Sequence, residues 1–238
     1  MYEEKIIPPK KAMPQAQDGT LRKFALRVPE VIYQCSGIIV FGKRIKSLVF
    51  STDLSIIKNV NADAIIAVYP FTPQPIITQA LLLAADIPVF AGVGGGLTKG
   101  QRVVNLAMFA EMQGATGVVL NAPTANTVVQ HVAETIDIPV VVTVARADTD
   151  FEARLQAGAN IFNVSAAAET PAIVRSIRER YPDVPIIATG GPTDESILET
   201  IQAGANAITW TPPSNGEIFR DIIAFECFTV QAEYQGLL

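Results

Sequence analysis

Asp53 is the acidic side chain best placed to move a proton. It follows residues 47–51, a short apolar segment with the composition of a buried strand. A carboxylate at the end of a strand is a suitable general base when a substrate lies within its reach. Asp148 follows another such segment, residues 139–144, but it also lies near an expected helix start, where capping the helix would explain it. Asp53 is therefore the first catalytic candidate.

The glycine-rich segment Gly94-Gly95-Gly96 and the nearby Lys99 form a candidate anion site. Backbone N–H groups of a flexible loop can surround an anion, and the lysine would add positive charge just before an expected helix. A permissive loop or a mobile lid explains the same residues equally well. The segment matches neither the phosphate-binding loop of nucleotide hydrolases nor the dinucleotide fingerprint.

Other polar residues follow apolar segments and are candidate ligand-binding groups. Arg146 is the one guanidinium among them, and it would either hold a carboxylate or phosphate through two hydrogen bonds or form a salt bridge with a neighbour. The remaining candidates are Asn121, Asn163, Trp210, Thr211 and Ser214.

Several kinds of chemistry are disfavoured. No lysine follows Lys99, so the later segments offer none for a Schiff base. The single histidine, His131, lies within an expected helix, which argues against a zinc site or a Ser-His-Asp hydrolase. The two cysteines, Cys35 and Cys227, form no metal pattern and are expected to be small buried side chains. We therefore predict no cofactor, and any metal would be magnesium held by oxygen ligands such as Asp53.

A repeated pattern indicates which elements would position these residues. The sequence Gln-Ala-Gly-Ala-Asn occurs at 156–160 and at 202–206, and each copy runs into an apolar segment. Looser copies occupy 112–116 and 61–64. The glycine suits the left-handed residue that ends a helix, and the apolar segment suits a strand buried on both faces. The pattern therefore predicts helices that alternate with parallel strands.

Eight strands are predicted in this way, and most intervals are long enough for a helix. Eight alternating units favour an α/β fold of the closed (β/α)8 type, the TIM barrel, over an open doubly wound sheet. A last helix is expected at about 216–234, beginning with Ser214 and Glu217 in capping-box spacing. The predicted strands are 47–51, 64–68, 88–92, 117–121, 139–144, 160–164, 185–189 and 206–211.

Residues 1–44 fall outside this alternation and are predicted to form an N-terminal extension. Apolar segments flank Gly42-Lys43-Arg44, which suits a hairpin turn, and three prolines precede them in an extended arm. We expect this region to cover the bottom of the barrel or to reach a neighbouring subunit. Residues 45–238 would form the barrel as a single domain.

The segment 186–210, IIATGGPTDESILETIQAGANAITW, resembles the last quarter of the ribulose-phosphate-binding barrels. That superfamily includes keto-deoxy-phosphogluconate aldolase, thiamine phosphate synthase and the histidine-biosynthesis barrels. The resemblance implies that Gly190 and Gly191 bind a phosphate through backbone N–H groups at a helix N-terminus. It also implies Asp53 as general base with Asp148 as its partner. A tight turn from strand to helix is the plainer interpretation of the two glycines.

The chain departs from that superfamily after the eighth predicted strand. Trp210-Thr211-Pro212-Pro213 stands where the superfamily has a Gly-Ser turn that binds the phosphate. The prolines lack N–H groups, and we expect the indole to fill space that a ligand would approach. Ser214 could still donate, whereas the charges of Asp194 and Glu195 work against an anion. The chain is therefore expected to be a divergent member.

These residues predict an enzyme of the lyase or isomerase type that acts on a small phosphorylated or carboxylated metabolite. Asp53 would transfer the proton, and Gly190-Gly191 would hold the anion. Two alternatives stay open. One is a regulatory barrel that binds a metabolite without turning it over, which suits the few acids at the strand ends. The other is a hydrolase that uses water activated by Asp53.

Composition and charge limit the partners. The chain is 49% hydrophobic and 17% charged, which excludes disorder. Its net charge of -5 provides no basic field for nucleic acid or an anionic membrane. No apolar stretch has the length of a membrane span, and the first residues lack the apolar core of a signal peptide. We expect a cytoplasmic homo-oligomer that binds a small anionic molecule.

Overall fold

Eight short apolar segments pair as parallel strands and close into a barrel in the computed structural model, which describes residues 25–221 and 223. Each strand pairs with its neighbours in chain order, and the last pairs with the first. The observed bounds lie within two residues of the predicted ones, with β5 extending furthest beyond its predicted end. The strands are β3 (Ser47–Phe50), β4 (Ala64–Ala67), β5 (Val89–Gly94), β6 (Gly117–Leu120), β7 (Val140–Val144), β8 (Ile161–Val164), β9 (Ile186–Thr189) and β10 (Ala207–Trp210).

Helices occupy the intervals between the strands, which confirms the (β/α)8 prediction. Residues 215–221 and 223 are also helical, and the rest of the predicted last helix lies outside the described residues. Its predicted capping box is confirmed, because the Ser214 N–H donates to the Glu217 carboxylate at 2.7 Å. The helices are α1 (Leu54–Lys58), α2 (Pro75–Ala84), α3 (Gln101–Met112), α4 (Asn126–Thr135), α5 (Phe151–Gln156), α6 (Thr170–Arg180) and α7 (Asp194–Gln202).

A hairpin closes the bottom of the barrel. Strands β1 (Ile38–Val40) and β2 (Lys43–Ile45) pair in antiparallel fashion, so the hairpin is confirmed, but its turn is Phe41-Gly42, and Lys43 and Arg44 belong to the second strand rather than to the predicted turn. Ile38, Val40 and Ile45 are buried against the inward-facing side chains of the barrel strands. The described part of the N-terminal region therefore covers the barrel bottom. Residues 1–24 lie outside the described residues, and the division into 1–44 and 45–238 stays a prediction.

The segment before the hairpin completes the outer layer between α7 and α1. A 3-10 helix, Glu30–Gln34, packs against α7, and Leu26 forms a parallel bridge with Val60 just after α1. Cys35 is buried in this layer, and burial raises the pKa of its thiol to about 12. The thiol therefore stays neutral and packs as a small apolar side chain, as expected; Cys227 lies outside the described residues.

The Gln-Ala-Gly-Ala-Asn copies hold neighbouring strands in register. The Asn160 side-chain oxygen accepts the Val140 N–H at 2.8 Å, and the backbone N–H of Asn160 donates to the Val140 carbonyl at 2.9 Å. Asn206 makes the same two bonds with Ile186, both at 2.9 Å. Asp63, at the matching place in a looser copy, accepts two backbone N–H groups at the beginning of β3. The glycines of the two close copies, Gly158 and Gly204, and Gly114 of a looser copy all have positive φ, as predicted.

Asn206→Ala should lower the free energy of unfolding by about 1 kcal/mol more than Asn160→Ala. Each change leaves one backbone N–H near a strand start without a partner, that of Ile186 or Val140. Asn206 additionally accepts Arg178 Nη2 at 2.7 Å, and that charged bond is lost as well. Urea unfolding of the two variants measures the difference. Equal losses would show that the Arg178 bond does not stabilise the fold.

Candidate functional site

The inward-facing side chains change from apolar to polar toward the carboxyl ends of the strands. In the lower part of the barrel the inward positions are apolar and fully buried. Side chains alternate along a strand, so the next inward position comes two residues later. On five neighbouring strands, β6 to β10, that position is an amide or a hydroxyl. These residues are Asn121, Thr143, Asn163, Thr189 and Thr209.

These five residues line a cavity of about 270 Å³ at the carboxyl end of the barrel, which we call the mouth cavity. Ser165 and Thr211 complete its polar side. The β3–β4 side is apolar and is formed by Phe50, Ile66 and Val68. None of the described residues that line the mouth cavity is charged. The cavity therefore offers hydrogen bonds to a ligand without a formal counter-charge.

Two of the lining side chains are buried and hold polar atoms without a partner. Asn163 is only 8% exposed; its amide donates to the Thr143 hydroxyl at 3.4 Å and its Oδ1 is unpaired. Whichever way this amide is turned, one of its polar atoms stays free. Thr209 is 6% exposed and its hydroxyl is also unpaired. A buried unpaired polar group destabilises a fold by about 1–3 kcal/mol, so such groups at a cavity are available to bind water or the polar atoms of a ligand.

A second cavity of about 160 Å³, the side cavity, lies under the Gly94-Gly95-Gly96 segment. Val68 and Asn121 line both cavities, so the two adjoin. The predicted cradle is partly closed on itself, because the Gly95 N–H donates to the Thr98 carbonyl at 2.9 Å. Lys99 is exposed and is not among the residues that line the described cavities.

Packing accounts for Gly190 and Gly191. A Cβ on Gly190 would lie 2.7 Å from Ile197 Cγ1 and 2.8 Å from Ile208 Cγ2, so only glycine lets α7 approach β10 here. Gly191 has φ +86°, a conformation that favours glycine. The first turn of α7 is capped by its own side chains. Thr193 caps the helix, and a hydrogen bond from the backbone N–H of Glu195 to the carboxylate of the same residue lowers the pKa of Glu195. The tight-turn interpretation explains this segment without a phosphate.

Asp53 caps a helix and does not line either cavity. Its carboxylate accepts the Ser55 and Ile56 N–H groups at the start of α1 and the Ser55 hydroxyl at 2.6 Å. The Asn215 side-chain amide also donates to it, which joins the end of β3 to the start of the last helix. The Ser55 hydroxyl bond is the main reason that the pKa of Asp53 is lowered.

Asp148 and Arg146 pair with each other on the surface. Arg146 Nε and Nη2 donate to the two carboxylate oxygens of Asp148 at 2.9 and 2.7 Å. This bond lowers the pKa of Asp148. Of the two interpretations of Arg146, the structure shows the salt bridge. The predicted pair of aspartates is not brought together around a cavity, since Asp53 and Asp148 bind different neighbours.

Trp210 lies on the outer side of β10, because Thr209 takes the inward position next to it. Its indole packs against the outer layer and lines a third cavity of about 400 Å³, which Gly191 and Asp194 also border and which shares Thr189, Thr209 and Thr211 with the mouth cavity. The indole thus lies beside Gly191, and the expectation that it fills space that a ligand would approach stays a prediction. Thr211 is inward again and lines the mouth cavity, whereas the Ser214 hydroxyl donates to the Glu217 carboxylate at 2.6 Å.

The mouth cavity brings together Thr143, Thr189 and Thr209: the first two stand at strand ends that the sequence interpretation considered, and Thr209 was not selected. The signal was present as alternation. Within β7, β9 and β10, each threonine stands two residues after an inward apolar residue, in strands that are otherwise apolar. A hydroxyl at such an inward position marks where the apolar core of the barrel ends and the polar lining of a binding cavity begins.

Neither a metal centre nor a membrane helix is found in the part of the chain that the structure describes. No group of three or more His, Cys, Asp or Glu side chains in residues 25–221 and 223 could hold a metal ion. None of the described helices is long and apolar enough to cross a membrane.

No protein-family model and no curated protein matches the chain, whereas many solved structures do. Phosphoenolpyruvate phosphomutase from Streptomyces platensis subsp. rosaceus is 14% identical, with 86% of each chain covered and a TM-score of 0.58. Phosphonopyruvate hydrolase in complex with oxalate and Mg²⁺ is 13% identical over 81% of this chain and 83% of that one, with a TM-score of 0.56. 2,3-Dimethylmalate lyase, a PEP mutase/isocitrate lyase superfamily member, is 11% identical over 87% and 86%, with a TM-score of 0.57.

Identities this low show similarity of fold alone, and the TIM-barrel part of the sequence resemblance is thereby confirmed. The structures named here are other barrel enzymes, so they add no support to the ribulose-phosphate-binding resemblance beyond its fold. In the chain itself, Gly190-Gly191 is a packed turn, and no Gly-Ser turn follows β10.

Proposed function

We propose that this chain is an enzyme of the lyase or isomerase type that binds a small carboxylated or phosphorylated metabolite in the mouth cavity. The observation that carries the proposal is the pair of buried, unpaired polar side chains, Asn163 and Thr209, that face this cavity. The names of the similar barrels, a phosphomutase, a phosphonopyruvate hydrolase and a dimethylmalate lyase, support the same class of substrate.

The lining favours a carboxylate with a single charge. Hydroxyl and amide N–H groups of Thr143, Asn163 and Thr209 can donate to its oxygens, and hydrogen bonds to a charged group contribute about 1.5–3 kcal/mol each. A phosphate dianion would enter a cavity without a cation, and its desolvation would not be offset. A volume of about 270 Å³ is below the roughly 300–1,000 Å³ of drug-sized sites, which suits a small metabolite.

The lining does not fit a magnesium ion. Mg²⁺ is usually held by one or two carboxylates together with water or substrate oxygens. The described residues of the mouth cavity supply hydroxyls and amides but no carboxylate. The magnesium named with phosphonopyruvate hydrolase is therefore not carried over to this chain, and no step is assigned to it.

Asp53 is the proposed proton-transfer group. It caps α1 outside the described lining of the mouth cavity, three residues after Phe50 of that lining, so the proposal requires the substrate to extend from the cavity to its carboxylate. Its lowered pKa keeps it in the basic form at neutral pH. Wild-type protein in D₂O should exchange the methyl protons of pyruvate faster than buffer does, as followed by NMR. Asp53→Asn should slow that exchange at least about 100-fold, the usual contribution of a general base. Asparagine caps helices as well as aspartate does, so the variant should fold and still bind pyruvate.

A binding barrel without turnover is the second candidate. It is favoured by the absence of a titratable side chain among the described residues that line the mouth cavity. Under this alternative, pyruvate binds, but wild-type protein exchanges its protons no faster than buffer. That outcome would contradict the enzyme proposal and leave the binding site intact.

The outer surface of α2 and α3 is the proposed contact between two copies of the chain. Helix α2 contains no charged residue, and a helix that is apolar all round is normally buried. Its Ile76 and Leu83 are exposed, Leu83 by 81%, and Phe109 and Met112 are exposed on the neighbouring α3. A second copy is the partner that this face fits, because α2 can pack against itself without burying a charge.

Leu83→Lys should convert the wild-type dimer into a monomer and raise the dimer dissociation constant at least about 100-fold, since it places a charge inside the contact. Sedimentation equilibrium measures the change. Gln130→Lys, on the exposed face of α4, is the matched control and should leave the dimer intact. A wild-type protein that is monomeric at micromolar concentration would contradict this contact.

A further inference from the structure

The side cavity has the size and lining of a pocket for one ring. Its volume is about 160 Å³, and an apolar cavity of roughly 150 Å³ is known to hold benzene. Tyr69 and Phe71 lie along one side of it together with Leu97 and two prolines, while Asn121, Thr98 and glycine backbone form the polar remainder of the wall. The Tyr69 hydroxyl accepts the Gln74 N–H at 2.9 Å, which fixes the position of that ring. An aromatic ligand group would pack well against such a wall.

Asn121 stands at the junction of the side cavity and the mouth cavity. Its backbone is held on both sides: its N–H donates to the Gly94 carbonyl at 2.9 Å, and its carbonyl accepts the Thr124 hydroxyl at 2.7 Å. Asn121 and Val68 line both cavities, so a ligand can occupy both across this point. The fixed backbone presents the Asn121 side chain where the two parts of such a ligand would join.

Thr98 is the residue of the side cavity whose buried hydroxyl has no partner. Its side chain is 5% exposed, and its hydroxyl has no partner in the described structure. The Thr98 carbonyl accepts the Gly95 N–H, so the loop folds around this residue and holds it against the cavity. One unpaired buried hydroxyl beside aromatic side chains is an arrangement that can select a ring with a matching hydroxyl. A site built in this way strongly rejects an analogue that lacks the group.

We infer that the metabolite has two parts: a carboxylate head in the mouth cavity, and an aromatic arm with a terminal hydroxyl in the side cavity. This inference rests on the proposed function, because the head occupies the mouth cavity described there. Asn163 and Thr209 hold the head, Asn121 lies beside the link, and the Thr98 hydroxyl pairs with that of the arm.

Calorimetric titration with three matched probes tests the inference: pyruvate has the head alone, phenylpyruvate adds the ring, and 4-hydroxyphenylpyruvate adds the hydroxyl. Phenylpyruvate should bind at least 10-fold more tightly than pyruvate, and 4-hydroxyphenylpyruvate at least 10-fold more tightly again. Thr98→Val, which keeps the shape and removes the hydroxyl, should reduce the second ratio to about one. Thr200→Val, a buried threonine on α7 away from both cavities, should keep the wild-type ratios.

Two results would overturn the two-part ligand while leaving the proposed function in place. They are a phenylpyruvate affinity no higher than that of pyruvate, and a preference for the hydroxyl that survives in Thr98→Val. If pyruvate itself does not bind at millimolar concentration, the proposed function fails, and the present inference fails with it. If all three probes bind but Asn163→Leu weakens none of them, the head does not lie in the mouth cavity and the inference is likewise overturned.

Discussion

Gly95→Ala should lower the free energy of unfolding by about 4 kcal/mol, a loss at the upper end for a single substitution. An ideal Cβ at this position would lie 1.7 Å from Thr124 Oγ1, well inside any permitted contact. The Thr124 hydroxyl cannot simply turn away, because it donates to the Asn121 carbonyl at 2.7 Å. The backbone must therefore move, and φ of +101° adds strain for any residue with a Cβ.

Gly114→Ala is the matched control for this prediction. Gly114 has φ +94°, nearly the same backbone conformation, but a Cβ there would meet nothing within 4 Å. It should lose only about 1–2 kcal/mol, the strain of the left-handed conformation itself. Urea unfolding of both variants isolates the close approach between Gly95 and Thr124. Equal losses of unfolding free energy would mean that the Gly94-Gly95-Gly96 segment relaxes freely. The wall that this segment forms for the side cavity would then not be rigid.

Thr209→Val should make the free protein more stable and the ligand complex weaker. The Thr209 hydroxyl is buried without a partner, so replacing it with a methyl group of the same shape should add about 1 kcal/mol to the free energy of unfolding. The same change removes a donor to the ligand carboxylate. A lost hydrogen bond to a charged group corresponds to roughly 10–150-fold in pyruvate affinity.

Thr200→Val separates this effect from a general response of buried threonines. Thr200 is equally buried, but its hydroxyl donates to the Ser196 carbonyl at 2.9 Å. Its replacement should reduce stability by about 1 kcal/mol and leave pyruvate affinity unchanged. Thermal unfolding and calorimetry measure both quantities. A Thr209→Val protein that is less stable than wild type, or that binds pyruvate normally, would contradict the assignment of the mouth cavity.

The fold was predictable because its signals are local and repeated. Each Gln-Ala-Gly-Ala-Asn copy combines a helix end with a strand start, and the structure shows why the asparagine belongs there. The side chains of Asn160 and Asn206 each bind the first residue of the strand before. The eight strands are short apolar segments, and their length is typical of a buried strand rather than of a helix.

The site was predictable only in part. Asn121, Asn163 and Thr211 were selected and line the mouth cavity, but the catalytic candidates were sought among charged residues of the loops. Asp53, Arg146 and Asp148 satisfy local needs in the structure, as a helix cap and a surface ion pair. The cavity is lined instead by residues within the strands, and only the inward or outward direction of each side chain identifies them. Trp210 and Thr209 are neighbours in sequence, yet they lie on opposite faces of β10.

The claim that the mouth cavity holds the anion is tested most directly by NMR. Titration of ¹⁵N-labelled protein with pyruvate should shift the side-chain amide resonances of Asn163 in a saturable manner, with assignment from the Asn163→Leu spectrum. The side-chain amide of Asn160, bound at the bottom of the barrel to the Val140 N–H, should not move. Saturable shifts elsewhere, with the Asn163 resonances unchanged, would contradict the account.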